Sequence, residues 1–504
     1  MAGGLKSIFR AAPIGGINTE LPLLQMPPEF CTAMNNFYCS EQSLILRHGC
    51  TAYGDAATGS EFRFRLHKHT KTDGTDVLIA CGNNKFYTVS GTGAPTDITG
   101  SATVTSSNWL PIFMNGTTVF FNSVDTPLQY TGTGNVATAT YTGSGLTPSL
   151  LRMATNFRDR IYIMQASAWT LWYGASNAIT GALTSYDLSY IFRKGGYPMF
   201  ISTWSIDDGG GLDDRLVVGS SEGEVVVYAG SYPGGADWYK VGHFFFPKTL
   251  QRQCTFQLAG DLYIMTKESI ISLKSAMQQG SQNYTTLTQN IKTLYKSCIS
   301  DFGNTFRAKA VVDDRLNSLI ISLPIEAPIT GLVSGATLLL MNLSTGAWSR
   351  FILACSDIEV LSDVTIVATY NNNFAKINYG TYDFRSPGVL DKEVQGYVYC
   401  APINLSGRKK FCYLTNYFDL TSNDVINYSY SDFVIPDNNN DSSFFKARTA
   451  TTNYRGLTMP KYGVSHFGSL AQVGISSVKK LTANTGGHFY FNGYEFQYSD
   501  MGGL

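Results

Sequence analysis

The feature that most limits what this chain can become is a hairpin that keeps returning. Each copy is an apolar strand, often led by a turn residue or an acid, then a short polar turn, then a second apolar or aromatic strand. It appears as DVLIACGNNKFYTVSG from Asp76, NGTTVFFNSVDTPLQYTG from Asn115 and RDRIYIMQASAWTLWYG from Arg158. It returns as DDRLVVGSSEGEVVVYAG from Asp213 and AGDLYIMTKESIISLKS from Ala259. A sixth copy opens with DRLNSLIISLP at Asp314 and closes with GATLLLMNLSTGAWSRF, and a seventh is SDVTIVATYNNNFAKINYG from Ser362. The starts lie roughly 40 to 57 residues apart, near the ~40–50-residue blade of a β-propeller, with room for about four short strands each. In MNLSTGAWSRF an Asn-x-x-Thr-Gly turn hands over to Trp348, which opens the next strand.

The composition suits that reading. Among 504 residues there are 49 Gly, 30 Tyr and 30 Phe, and only 15% are charged. Glycine punctuates turns, and aromatics fit the pleated, half-buried faces of sheets. The length exceeds one ordinary core, which calls for two or three domains or one large repeat-built domain. The expected fold is all-β: a β-propeller of about seven blades, in a range of six to eight, followed by a C-terminal antiparallel β-sandwich-like domain. Several β-sandwiches with coincident hairpins are the alternative.

One segment departs from the β pattern. NYTTLTQNIKTLYKSCISDF sets Leu287, Ile291, Leu294 and Cys298 at offsets of four, seven and eleven, one face of an amphipathic helix bridging two blades. After about residue 385 the chain alternates apolar and polar residues, as in GYVYCAPINLSGRKKFCYLTNYFDL and the closing HFYFNGYEFQYSD, the pattern of half-buried antiparallel strands. PDNNNDSS from Pro436 reads as a surface loop. The expected division is a strip over 1–55 that wraps the propeller and links the domains, a propeller over 56–384 and a sandwich-like platform over 385–504.

Residue patterns that carry chemistry are sparse. His67 and His69 in RLHKHT share a strand face and could hold a metal, but no third ligand is near in sequence, which predicts a solvated pair. Asp207, Asp208, Asp213 and Asp214 flank three glycines; they are weak candidates for a cation loop, without EF-hand spacing, and a surface turn is the plainer reading. Glu222 and Glu224 lie on one hairpin face, as paired carboxylates of a glycoside hydrolase would. No GxSxG, HExxH, P-loop or dinucleotide fingerprint occurs, so no catalytic and no cofactor-binding residue is assigned and no cofactor is expected. This favours a structural or binding role over an enzyme.

Lys and Arg number 37 and so do Asp and Glu, giving zero formal charge, without the basic excess of a phosphate-backbone binder. The nine cysteines form no CxxC and suit small buried hydrophobes in a reducing compartment. The N-terminus lacks a signal-peptide core, and no run reaches the ~18 apolar residues of a spanning helix. Synthesis in the cytoplasm without a membrane anchor is expected.

Three stretches taken in order carry a resemblance. They are GGINTELPLLQMPPEFCTAMNNFY with a following strand ending at Arg47 and Gly49, the propeller-like middle with a helix after LYIMTKESIISLKS, and the pair NLSGRKKFCYLTNYFDL and FYFNGYEFQYSD. The chain resembles the tail nozzle proteins (tail tube or packaged-DNA-stabilising tail hub) of short-tailed bacteriophages. The family's glycine between Asn-Phe and the Arg is here replaced by CSEQS. The resemblance implies a virion tail protein forming a ring, a homo-hexamer, below the portal adaptor. Its central channel would retain packaged DNA and conduct it into the host without sequence-specific binding. The implied partners are the tail adaptor, tail fibres or spikes, and a tail-tip or needle protein. The channel lining is not assigned. Two rivals stand beside this reading: a carbohydrate- or receptor-binding propeller using Trp169, Trp172 and Trp238, and a glycoside hydrolase using Glu222 and Glu224.

Overall fold

The computed structural model describes residues 6–22, 25–55, 64–207, 212–280, 283–300, 308–323, 336–353, 355–362, 364–369, 373–379, 382–383, 392–401 and 403–404. Beyond these it describes the strands of 409–420, 426–434, 447–452, 461–467, 470–480 and 489–500. The boundary near 385, the loop at Pro436 and Asp208 lie outside the described residues.

The structure is nearly all β, with seven successive antiparallel meanders between residues 64 and 377. Sheet I is Arg65–Thr70, Asp76–Gly82, Lys85–Val89 and Thr96–Asp97; sheet II is Leu110–Met114, Thr117–Phe121, Leu128–Tyr130 and Ala137–Thr138. Sheet III is Leu151–Phe157, Arg160–Gln165, Thr170–Gly174 and Gly181–Asp187, with Tyr141–Thr142 paired parallel to the last. Sheet IV is Pro198–Asp207, Leu212–Ser220, Glu224–Ala229 and Tyr239–Phe245, and sheet V is Thr255–Leu258, Asp261–Met265 and Ile270–Ser272. Sheet VI begins with Lys309–Asp313, Ser318–Leu323, Ala336–Asn342 and Trp348–Leu353, and sheet VII with Cys355–Val360, Thr365–Thr369 and Phe374–Ile377. Every hairpin read from the sequence falls on the second and third strands of one of these sheets, and the sixth runs on into the fourth strand, Trp348–Leu353.

The local reasons are visible. Two-residue turns sit where left-handed backbone is tolerated, as at Asn83 and Asn84 (φ 53° and 56°) and at Asn115 followed by Gly116 (φ 50° and 73°). In the Asn-x-x-Thr-Gly turn the Asn342 Oδ1 accepts the N–H groups of Ser344 and Thr345, and Gly346 takes φ 70°. The second strands are buried on both faces, which is why they read as apolar runs such as LVV and LII rather than as alternation.

The first strands contact one another from sheet to sheet: II with III, III with IV, IV with V, V with VI, VI with VII, and VII with I. Sheets I and II meet where His69 Nδ1 lies 2.8 Å from Thr118 Oγ1.

The expected helix exists but starts later. A 3-10 turn, Gln289–Ile291, leads into an α-helix, Lys292–Ser300, that buries Ile291, Tyr295 and Cys298. Leu287 precedes it. A second helix, Leu273–Gln279, follows sheet V directly, where the sequence had read strand. Ser272 caps it by accepting the Ser275 N–H, and that cap ends the strand run IIS.

The N-terminal strip, expected to be irregular, donates strands to several sheets. Lys6–Ala11 pairs with Phe489–Asp500, and Phe37–Cys39 and Leu44–Leu46 join the same sheet, which also holds Lys409–Leu420 and Lys461–Phe467. Gly16–Ile17 and Phe30–Asn35 join sheet VI to Gln395–Cys400, Leu470–Lys480, Ile426–Val434 and Ala447–Thr452, an eleven-stranded sheet with the short Ile403–Asn404. Cys50–Ala52 adds the fourth strand to sheet VII. Strands two to six residues long, several buried on both sides, are too short and too apolar to show alternation.

Candidate functional surfaces

The joint between the strip and the two sheet systems centres on Arg47. Its side chain is 3% exposed. Nη1 and Nη2 donate to Asp383 Oδ1 and Oδ2 at 2.7 and 2.6 Å, and Nε donates to Asn36 Oδ1 at 2.9 Å. The guanidinium also donates to the His48 carbonyl and sits over the Phe351 ring. Burial pulls the Arg47 pKa down, but Asp383 outweighs it and the net shift is upward. A planar, bidentate fork suits this place because every donor finds an acceptor without water. Further along the strip, the Glu20 carboxylate accepts the Thr293 N–H at 2.6 Å, at the positive end of the helix Lys292–Ser300.

Where the first strands gather, side chains reach from sheet I and sheet II to the segment leading into sheet V. Arg65 donates to Gln253 Oε1 and Asn108 Oδ1 at 3.1 and 3.2 Å. Arg252 donates to the carbonyls of Asn122 and Asn108. Lys309 Nζ donates to the Leu66 carbonyl at 2.8 Å and to Glu359 at 2.7 Å, and buried Asp357 accepts the Leu66 N–H and faces Arg65 at 3.7 Å. Most of the polar groups that cross this gathering are thus satisfied by one another, while Arg65 Nε is buried without a hydrogen-bond partner among the described residues.

His67 and His69 lie in the same region, and the solvated pair expected from the sequence is not found. Both are buried, at 1% and 0% exposure. His67 packs on Phe120, and His69 on Tyr130 and Phe113. Their strand face is the one that sheet II covers, so the alternation marked an inter-sheet face rather than a wet one. Burial, then Lys309 and Arg65, push the His67 pKa well below its ordinary 6.5.

The weak cation candidates separate. Asp207 opposes Leu212 at the end of a hairpin, with its side chain outside the described atoms. Asp213 pairs with Arg215 at 2.6 Å and with Arg158 at 3.4 Å, and Asp214 accepts from the Ser205 hydroxyl at 2.6 Å. No group of three metal-ligating residues occurs among the described residues.

The two glutamates are also divided by environment. Glu222 is paired with Lys248 at 2.8 Å near the surface. Glu224 is 0% exposed and accepts the N–H groups of Arg193 and Lys194 at 2.8–2.9 Å and the Nε2–H of His243 at 2.9 Å. Burial raises its pKa, but these donors outweigh burial and hold it below the ordinary value. A glycosidase general acid needs the opposite shift, so the geometry gives Glu224 a structural role, tying the 193–194 segment to sheet IV.

The three tryptophans named for a sugar platform are packed. Trp172 is 3% exposed, Trp169 stacks on Phe192 at 4.3 Å, and Trp238 stacks on Tyr228 at 5.1 Å. Cys31, Cys39, Cys50, Cys81, Cys254, Cys298, Cys355 and Cys400 are free and buried, as small hydrophobes would be. No helix among the described residues is long and apolar enough to cross a membrane. No protein-family model matches the chain, and no curated protein is significantly similar to it.

Proposed function

We propose that the seven meanders are the blades of a β-propeller, closed by the strip's Cys50–Ala52, and that residues 385–504 with the strip form a platform beside it. The ring contacts of the first strands, including sheet VII with sheet I, support the closure. A blade completed by one strand from the chain's beginning and three from the last meander locks a circular array against opening.

On this reading the protein is a structural tail component, a nozzle ring of about six copies below a portal adaptor. It retains packaged DNA and conducts it during ejection. The observation that carries the reading is the interlock of the strip. Its strands sit in sheets VI and VII and in both C-terminal sheets, so propeller and platform act as one load-bearing unit. The passage for DNA lies between copies. Within a single chain the first strands are bridged side chain to side chain by Arg65, Gln253, Arg252 and Asn108, which supports a passage between copies over one through a single array. Tight phosphate contacts would slow transit, so the passage is poor in Lys and Arg. Closure of such a ring requires heterologous interfaces.

Electron microscopy of the purified protein, with its mass in solution, tests this. Rings of about six copies with an open axial channel, alone or on addition of a phage neck complex, are expected. A monomer under both conditions, or a channel wall of continuous basic residues, would overturn it.

A further inference from the structure

The seven sheets treat their outer edges differently. The outermost strands of sheets I and II are two residues long, Thr96–Asp97 and Ala137–Thr138. That of sheet III carries Tyr141–Thr142 on its first residues, and its exposed positions are Ala182, Thr184, Ser185 and Asp187. Ile270–Ser272 of sheet V is bridged by Thr286, sheet VI continues into the strip, and sheet VII takes Cys50–Ala52. Sheet IV ends on Tyr239–Phe245, seven residues long, and no strand among the described residues pairs with its far side. A long uncovered edge is a row of free backbone donors and acceptors.

The side chains around this edge have one character. Tyr239 is 56% exposed and Phe245 41%. Lys240 is exposed on the strand, Arg193 and Lys194 are exposed beside it, and the Lys194 ammonium lies 5.2 Å over the Phe245 ring. The carboxylates nearby are engaged: Glu224 is buried and fully hydrogen-bonded, Glu222 is paired with Lys248, and the exposed Asp237, two residues before the strand, accepts from the Ser231 hydroxyl. The rim is therefore basic and aromatic on a chain of zero net charge.

We propose that the outer edge of sheet IV is a docking site for an extended, acidic segment of another protein, added as a fifth strand. The backbone row supplies affinity, and Lys194, Lys240 and Arg193 select carboxylates on alternate positions. A second copy of the same edge is disfavoured, because YKVGHFF brings no carboxylate to answer Lys194, Lys240 and Arg193. A single-stranded nucleic acid would use the cations and rings but leave the backbone row unpaired.

The test uses the full chain and three probes: a capped octapeptide of alternating Glu and Val, the same peptide with Lys for Glu, and oligothymidylate. Binding is followed by calorimetry and by amide exchange. The Glu peptide is expected to bind at least tenfold tighter than the Lys peptide and to slow exchange within 239–245. Lys194→Glu with Lys240→Glu, exposed positions that leave the fold intact by circular dichroism, should reverse the preference. Equal or absent binding of the two peptides, protection elsewhere, a preference unchanged in the double variant, or binding of oligothymidylate alone would overturn the proposal. None of these outcomes depends on whether the protein forms a ring.

Discussion

The seven-meander array and the strip with its C-terminal sheets are both largely antiparallel β-structure, with parallel pairs where Gly16–Ile17 meets Phe30–Asn35 and Trp348–Leu353, but they are assembled on different scales. In the array the meander strands pair with their neighbours in sequence, as Asp76–Gly82 does with Lys85–Val89 across a two-residue turn. In the other system Lys6 opposes Tyr498, Cys31 opposes Cys400 and Tyr490 opposes Ile45. Loop closure must be paid for before such remote pairs give anything back. The array's register is set by turns a few residues away. The strip's register is set by what it meets hundreds of residues later. Damage in the array should therefore stay local, whereas damage in the strip should be felt in several sheets at once.

The largest effect should come from the joint. Arg47→Ala leaves Asp383 and Asn36 without their donor in a buried place and is expected to cost about 3–5 kcal/mol. Chemical denaturation should show the loss, and amide exchange should show it in Gly16–Ile17, Cys50–Ala52 and Phe489–Asp500 together. A loss confined to one sheet would break the comparison.

Gly16→Ala against Gly93→Ala sharpens it. Both glycines have positive φ, 80° and 72°. A Cβ at Gly16 would meet the Trp348 backbone at 2.5 Å, whereas nothing lies within 4 Å at Gly93. About 3 kcal/mol is expected for the strip position and about 1 kcal/mol for the array turn. Equal costs would remove the distinction between a threaded strip and an open turn.

Within the array, Glu224→Gln is expected to cost about 2 kcal/mol, because a buried charge-assisted acceptor is weakened. Glu222→Gln, which breaks an ion pair near the surface, should cost less than about 1 kcal/mol. Thermal melts of the pair check both, and a larger cost at Glu222 would contradict the assignment of roles.

Acid gives the smallest and most graded effect. His67 is neutral in the fold, with its pKa pushed below 6.5, so the unfolded chain takes up the proton first. Its contribution is complete above 6.5 and falls as pH drops below that value. Glu224, whose pKa is depressed, loses its contribution further down, as pH falls below its ordinary 4.5. His67→Phe should flatten the melting temperature between pH 6.5 and 5; an unchanged slope there would mean that other groups carry it.

Much of the array was legible because its information is local. DVLIACGNNKFYTVSG carries two strands and their turn within sixteen residues, and all seven such units became hairpins. The helix that carries Cys298 was legible from its apolar spacing, but Leu273–Gln279 was not, since its start depends on one Ser272 cap. The candidate surfaces were less so. RLHKHT looks the same whether its histidines face water or sheet II, and only packing decided for burial. Trp169 and Trp238 look alike as stacking platforms or as core, and their partners Phe192 and Tyr228 come from other parts of the chain. The uncovered edge of sheet IV cannot be read from YKVGHFF at all. It exists because neighbouring edges are short or covered, a fact about the whole assembly.

The sequence by itself determined the strand-rich character, the seven hairpins and the absence of strong catalytic spacing, because turns, pattern and motif are properties of a few adjacent residues. Only the tertiary structure decided where the irregular strip belongs. Its strands are two to six residues long, and segments so short have no preferred partner of their own. Gly16–Ile17, Phe30–Asn35 and Cys50–Ala52 are strands because sheets VI and VII and the C-terminal strands offer them edges, and Arg47 stays there because Asp383 answers it across 336 residues of chain.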